Sequence, residues 1–501
     1  MTAPSPHRID GGRTSRFRTN AGTIGTMTRY DRLAALDASF LHLESIETPM
    51  HVGTLAIFEG APFFDSSGRF RLAAVRSLVA SRLHLIPRFR RRLMSVPMDQ
   101  GRPIWVDDPR FDVGYHVRLT ALPGPGTHEQ LLALTARIEA QLLDRTRPLW
   151  ELWFVEGLEQ GRVALVQKTH HALVDGVSGV DVATVLLDFD PKAAVVAPPI
   201  WIAEPAPSAS RLLADTLMER STESAEVART LRGLTRTPQR ADDRTSQLAR
   251  ALRTLVDRSP LAPRTSLNVS VGRRRAFVGV KVGLDGVKDI RRAVGGTVND
   301  VVLAGVAGAL RRRFQAREET VVDHLRVLCP VSVRDDGEHL QLGNRVSAMF
   351  VDLPIGEPDP VARLRAISAT TCDLKEREQA VGAAFLLDLT QYAAPAMLGL
   401  AARLVQRQPF VNLVVTNVPG PQIPLYCMGA RMIEAYPIVP LAQNLSLGIA
   451  ILSYCGVLHF GLYADGDACP DLALLGEDLR ASFRELGQAG ATHEMEQGAT
   501  P

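Results

Sequence analysis

The chain has 501 residues, 46% of them hydrophobic, with a formal net charge of +3. That length exceeds one ordinary hydrophobic core and predicts two large domains. The near-neutral balance excludes a nucleic-acid binder driven by bulk charge. The five scattered cysteines, with no CxxC pair, exclude a disulfide framework, and no metal-ligand spacing appears.

Residues 1–29 are rich in Arg, Gly, Thr and Ser and carry no apolar run. They are expected to be disordered rather than a secretory signal, with Met27 as an alternative start. Ordered character begins at Tyr30. Asp37–Leu41 reads as a short entry segment, and Met50–Phe58 as a strand. Residues 71–86 place Leu72, Val75, Leu78, Val79 and Leu83 on one helical face. Arg88, Arg90, Arg91 and Arg92 then cluster, as do Arg273, Arg274 and Arg275 in the second half. Each cluster reads as a solvated surface or as a contact for a ligand's phosphates or anionic lipid headgroups. Residues 127–143 read as a helix whose start carries a capping box, Thr127 with Gln130. Pro148 stops it, and Pro148-Leu149-Trp150 reads as a core turn with a packed indole.

Leu152–Val155 starts a strand expected to pair with Val163–Thr169, where apolar and polar residues alternate. At the end of that second strand stands His170-His171-Ala172-Leu173-Val174-Asp175-Gly176. Ser178–Asp188 then reads as a helix, with Ser178 and Asp181 as a capping box. The two histidines are thus placed on a loop at a strand end, where a rigid scaffold presents a reactive group. An imidazole there can take a proton from an alcohol. Asp175 can hold the loop and orient the ring, and Gly176 permits the tight turn out.

Composition shifts at Ala194. Residues 194–265 form a Pro-rich and helical linker, with helices expected at 211–234 and 244–257. The second is basic and amphipathic: Leu248, Leu252, Leu255 and Val256 share a face opposite Arg244, Arg250, Arg253 and Arg258. It suits docking on the domains or contact with a membrane surface. The second half reads as Phe277–Val282 strand, Val287–Val294 helix, then Thr297-Val298-Asn299-Asp300 opening an apolar helix to about Arg313. Asp300 fits the N3 position of a cap set by Thr297. Asn299 at a helix start is likewise explicable locally, and either residue could face a cleft. Strands are expected at Leu325–Val331 and Val346–Val351, and helices at 361–375 and 384–405. Val411–Val415 reads as a strand entering a turn-rich loop, Thr416–Pro421. Asn444–Tyr463 is uncharged and long enough to span a bilayer. Its glycines and alternation instead predict two buried strands around a turn at Cys455-Gly456. A helix over 471–486 precedes a polar tail, 488–501, expected to be disordered. The pattern is two α/β domains, 30–193 and 266–487, with a site between them where two substrates meet.

The ordered chain, about 31–485, resembles the bacterial wax ester synthase/diacylglycerol acyltransferase family of the CoA-dependent acyltransferase superfamily. The resemblance rests on Leu36–Phe40, Pro148-Leu149-Trp150, His170-His171 through Asp175-Gly176, Asn299-Asp300, Gly343-Asn344 and Thr416–Pro421, in that order. Thr416 departs from the more usual Ser. The resemblance implies an α/β (α+β) fold of two chloramphenicol-acetyltransferase-like domains around a tunnel. It implies acyl transfer from acyl-CoA to diacylglycerol, or to a long-chain alcohol to give a wax ester. Acyl-CoA is a co-substrate, and no cofactor or metal is implied.

By the same resemblance His171 is the general base. His170 supports the loop or contacts substrate, Asp175 and Gly176 shape the loop, and Asn299 orients His171 or the acyl carbonyl. Asp300 caps its helix, while Pro148 and Trp150 support the site. A cytoplasmic location is expected, peripheral to the inner face of the membrane or to lipid droplets. The alternatives are a condensation-type enzyme using carrier-bound thioesters, or a lipid-binding droplet protein with little turnover.

Overall fold

The computed structural model describes residues 30–173, 187–193, 197–219, 261–332, 346–378 and 410–498. Two six-stranded sheets organise them. The first contains β1 (His51–Glu59), β4 (Val117–Ala121), β5 (Trp150–Glu156) and β6 (Arg162–His170) from the first half. It also takes β11 (Tyr426–Cys427) and β12 (Ala430–Ile438) from the second half. The order is β11-β12-β1-β6-β5-β4. The second sheet is β7 (Arg275–Gly283), β14 (Val457–Asp465), β13 (Leu447–Tyr454), β10 (Leu413–Pro419), β8 (Leu325–Ser332) and β9 (Val346–Leu353), in that order. A separate hairpin, β2 (Arg91–Met94) and β3 (Ile104–Asp107), flanks the first sheet.

The first sheet therefore draws strands from both sides of the expected linker at 194–265. β12 lies antiparallel to β1, from Gly53 opposite Ile438 to Phe58 opposite Met432. Residues of the C-terminal half thereby complete the N-terminal sheet, which fixes the two halves against each other. On its other side β1 pairs antiparallel with β6, with His51 directly opposite His170.

Helices follow from caps and apolar stripes. The helix α1 (Ala35–Leu43) replaces the expected short entry segment, because its alanines and leucines favour helix and Leu33, Ala35 and Ala38 are buried. In α2 (Leu72–Arg82) the predicted face buries Val75, Leu78 and Val79. The helix α3 (His128–Glu139) begins with the Thr127–Gln130 capping box read from the sequence. In the second half come α4 (Leu284–Val294), α5 (Val298–Ala316), α6 (Pro360–Glu378) and α7 (Leu472–Gly498). The helix α5 is buried from Asp300 to Leu310 at the centre of the C-terminal core. Gly308 permits its close approach to α7, since a Cβ there would run into Ser482 Oγ and the Arg363 guanidinium.

Two further expectations are corrected. Thr416–Pro419 is strand rather than loop, because β10 stays in parallel register with β13 from Val414 opposite Gly448 to Pro419 opposite Ser453. The tail expected to be disordered from Gln488 continues α7 to Gly498, in a run of helix-forming Ala, Glu, Gln and Met. The apolar stretch 444–463 is the β13–β14 hairpin, turning at Cys455 and Gly456 with φ of 45° and 78°. Among the described residues no single helix is long and apolar enough to cross a membrane. The helices expected at 244–257 and 384–405 lie outside the described residues, as do Asp175, Gly176, Gly343 and Asn344. Of the helix expected over 178–188, Leu187 and Asp188 are described and are not helical; Asp188 bridges to Tyr426. The expected helix 211–234 is seen over 209–219.

Candidate active site

His170 is the last residue of β6, and His171 opens the single 3-10 turn His171–Leu173. The turn hangs on two backbone hydrogen bonds. His170 N donates to Leu149 O at 3.0 Å, and His171 N donates to Met50 O at 2.8 Å. The first explains Pro148-Leu149-Trp150. That segment leads into β5 and presents the carbonyl that holds His170. Trp150 is buried; its Nε1 donates to Phe89 O at 2.8 Å, and its ring stacks on His116 at 4.4 Å between centroids.

His170 is fully buried. Its Nδ1 accepts from Ala172 N at 3.0 Å, so the neutral ring carries its proton on Nε2. That nitrogen stands 3.4 Å from Glu44 Oε1. His51 Nε2, from across the β1–β6 pair, stands 3.3 Å from the same oxygen. Met50 N also donates to Oε1, at 3.2 Å, and Arg145 Nη2 donates to Oε2 at 2.7 Å. Burial alone would raise the Glu44 pKa. Contacts with His170 and His51 outweigh it and hold the carboxyl well below the usual carboxylate range. Burial pushes the His51 imidazole down to about 4 against the opposing pull of Glu44.

The His171 ring stacks on Phe40 of α1, centroids 3.9 Å apart and planes 21° apart. Burial pushes its pKa down to about 4, opposed by a hydrogen bond that the ring donates to its own backbone carbonyl. His171 is therefore a neutral imidazole near pH 7, held on one face by an aromatic ring.

Asn299 and Asp300 divide in role. Asp300 caps α5: its Oδ2 accepts from Thr297 N at 2.8 Å and its Oδ1 from Thr371 Oγ1 at 2.8 Å. Asn299 Oδ1 accepts from Asn417 Nδ2 at 3.3 Å, which joins the Asn299-Asp300 and Thr416–Pro421 motifs side by side. Among the described residues no hydrogen bond joins this asparagine pair to the histidine turn. Sequence reasoning missed Glu44, His51 and Arg145. A lone Glu, a lone His in a strand and a lone Arg carry no pattern, and the β1–β6 register brings them together.

Most arginines of the basic clusters have partners within the chain. Arg88 and Arg91 meet Asp31 at 3.3 and 2.9 Å, and the Arg90 guanidinium lies over the Trp201 ring at 5.1 Å. Arg273 meets Glu47 at 3.5 Å and Arg274 meets Asp467 at 3.2 Å. These contacts favour structural roles over free phosphate sites.

Two six-stranded sheets, the first completed by strands from the second half, give the chain the two-domain fold of an acyltransferase. The chain belongs to the wax ester synthase/diacylglycerol acyltransferase family. The family's catalytic domain matches residues 33–302 and its C-terminal domain residues 342–487. A relative from Mycobacterium tuberculosis, the probable diacylglycerol O-acyltransferase tgs1, is 34% identical over 91% of this chain and 96% of its own length. The probable diacylglycerol O-acyltransferase tgs2 of the same species is 36% identical over 92% and 99%. Among solved structures, the wax ester synthase/diacylglycerol acyltransferase from Marinobacter aquaeolei VT8 superposes with a TM-score of 0.67 at 27% identity, covering 92% of this chain and 99% of that one. The first condensation domain of the CDA synthetase shares the fold at a TM-score of 0.54 and 16% identity, over 93% and 98%.

Proposed function

We propose that the chain transfers a long-chain acyl group from acyl-CoA to the free hydroxyl of diacylglycerol, giving triacylglycerol, and to long-chain alcohols, giving wax esters. The observation that carries this reading is His171: buried at the end of β6, fixed by Met50 O and Phe40, and held neutral near pH 7 by its lowered pKa. A thioester is already activated, so the reaction needs a base and no covalent intermediate or cofactor. His171 takes the hydroxyl proton as the oxygen attacks the thioester carbonyl. The tetrahedral oxyanion collapses, the C–S bond breaks, and the imidazolium returns the proton to the departing CoA thiolate. A positioned base of this kind contributes roughly 10² to 10⁴ in rate. A buried site also excludes water, which would otherwise hydrolyse the thioester.

His170 acts through Glu44 to hold the turn. Asp175 and Gly176 shape the exit from it, and Asn299 with Asn417 presents polar groups at the start of α5. With two apolar substrates, the protein works at the inner face of the membrane or on lipid droplets, bound peripherally. Similarity to the two mycobacterial relatives favours acyl-CoA chemistry over a carrier-dependent reaction, since likeness to condensation domains extends to the fold alone.

The test is thiol release from palmitoyl-CoA by purified protein with dioleoylglycerol, with hexadecanol and with no acceptor, the lipid products being identified. Acceptor-dependent release with triacylglycerol or wax ester is the expected result. Folded protein that releases no thiol with either acceptor would overturn the reading.

A further inference from the structure

We propose that Arg275 is a positioning residue, clamping the C-terminal half of the chain to the turn from which the catalytic histidine hangs. Arg275 opens β7, an edge strand of the second sheet, yet its side chain is only 1% exposed. One arm of the guanidinium donates to Gly272 O at 2.7 Å and lies 3.9 Å from Asp465 Oδ2. The other arm crosses to the first half and donates to the backbone carbonyl of Glu47. A buried guanidinium is costly unless its partners are fixed. Here they come from both halves, so the contact resists separation of the two sheets.

Glu47 lies on a tight turn joining α1 to β1. Ser45 and Thr48 close it with reciprocal backbone hydrogen bonds of 3.2 Å, and Ser45 Oγ accepts from Glu47 N at 3.2 Å. On one side of this turn stands Glu44, on the other Met50, and Met50 N donates to Glu44 Oε1 at 3.2 Å. Met50 O is the acceptor that holds His171 N, and α1 carries the Phe40 ring stacked on His171. The position of the turn therefore sets both the anchor and the stacking partner of the base. Arg273 also reaches Glu47, but through the carboxylate, at 3.5 Å and in the open. An exposed pair of that kind contributes little. The buried link to the carbonyl is independent of the Glu47 side chain.

Loosening the turn would admit water to His171 and relieve the burial that depresses its pKa. Among the described residues the titratable group acting on His171 is His170 on β6, while Glu44 at the end of α1, His51 on β1 and Lys168 further back on β6 act on the neighbouring His170–His51 pair. Arg275 touches none of them, so its effect would pass through the backbone.

The inference rests on His171 being the base. Its test uses the full-length protein with Arg275→Met, Arg275→Lys, Arg273→Ala and His171→Ala, assayed with palmitoyl-CoA and dioleoylglycerol across the acid range. Arg275→Met should lower kcat by about tenfold, leave KM for acyl-CoA within about twofold, and raise the acid limb of kcat/KM toward the ordinary imidazole value. Arg275→Lys should give an intermediate kcat and limb, and Arg273→Ala, which removes only the exposed pair with Glu47, should resemble wild type. Activity lost only in proportion to folded protein, with the acid limb unmoved, would overturn the clamp. If Arg275→Met does not fold, Arg275→Lys decides: an intermediate limb supports the clamp and a wild-type limb overturns it. Full activity in His171→Ala would instead remove the base assignment and leave the clamp without its object.

Discussion

Glu44→Gln isolates the charge at the centre of the histidine cluster without changing its shape. In the wild type Oε1 serves His170, His51 and Met50 N, while Oε2 serves Arg145. A glutamine can keep its oxygen toward the histidines, but its amide then faces the Arg145 guanidinium, donor against donor. Turned the other way, the amide faces the His170 Nε2–H, and the ring must change tautomer and lose its bond from Ala172 N. Arg145 is 46% exposed and can swing into water, so the first arrangement wins. What is lost is the charge assistance on buried contacts, about 1 to 2 kcal/mol out of the 1.5–3 typical of hydrogen bonds to charged groups. If that strain is carried into the histidine turn, kcat falls by about tenfold, since each tenfold corresponds to about 1.4 kcal/mol. Glu44→Ala also leaves Met50 N unsatisfied and should cost about a hundredfold. The assay is kcat and KM with palmitoyl-CoA and dioleoylglycerol, with circular dichroism and thermal unfolding on the same preparations. Glu44→Gln that folds and keeps more than half of wild-type kcat would refute the argument.

His171→Ala should lower acyl transfer by about 10² to 10⁴ while the far-ultraviolet spectrum and acyl-CoA binding persist; near-normal turnover would dismiss His171 as the base. Four histidines, His51, His116, His171 and His459, are each lowered by burial from 6.5 to about 4. Between those values the unfolded chain binds protons that the folded chain refuses, so stability falls with acidification, by about 1.4 kcal/mol per pH unit for each group while it titrates. Glu44, depressed in the fold, acts in the same direction below its ordinary value of 4.5. The melting temperature should decline steadily from about pH 6.5 downward, and a flat profile to about pH 4 would contradict the burial of these rings. Gly308→Ala should destabilise the C-terminal core by about 1 to 3 kcal/mol, because the new methyl meets Ser482 and Arg363; denaturant unfolding with an unchanged midpoint would show that α5 and α7 can move apart.

Local patterns were legible where local physics decides. The Thr127–Gln130 and Thr297–Asp300 capping boxes formed as read, because each closes within four residues. The β13–β14 hairpin formed because Gly456 accepts a positive φ and both strands are apolar on both faces. Pro148 and Trp150 sit in the packed turn expected of them. What escaped reading was non-local. Nothing near residue 430 says that β12 leaves its own half to pair with β1. Nothing near Glu44 says that it will meet His170, since that contact depends on the register placing His51 opposite His170. Thr416–Pro421 carries turn residues, yet four of the six are strand because parallel pairing with β13 overrides local preference.

With His171 as the base we propose, its low pKa bears on which half of the reaction it favours. An imidazole near 4 is unprotonated over the whole neutral range, so no fraction of the enzyme is idle there. It is a weak base, however, and cannot strip an alcohol in advance of attack. Proton transfer must accompany C–O bond formation, when the hydroxyl becomes acidic. The imidazolium that results is correspondingly a strong acid, and a thiolate with an ordinary pKa of about 8.5 takes the proton from it readily. Burial thus makes the first transfer depend on the carbonyl being in place and makes the second downhill. Glu44, reaching the turn through His170, limits the cost of that transient charge by holding a carboxylate one residue away. Commitment to C–S cleavage then comes from the leaving groups, since a thiolate is far less basic than an alkoxide and is the group the tetrahedral adduct expels.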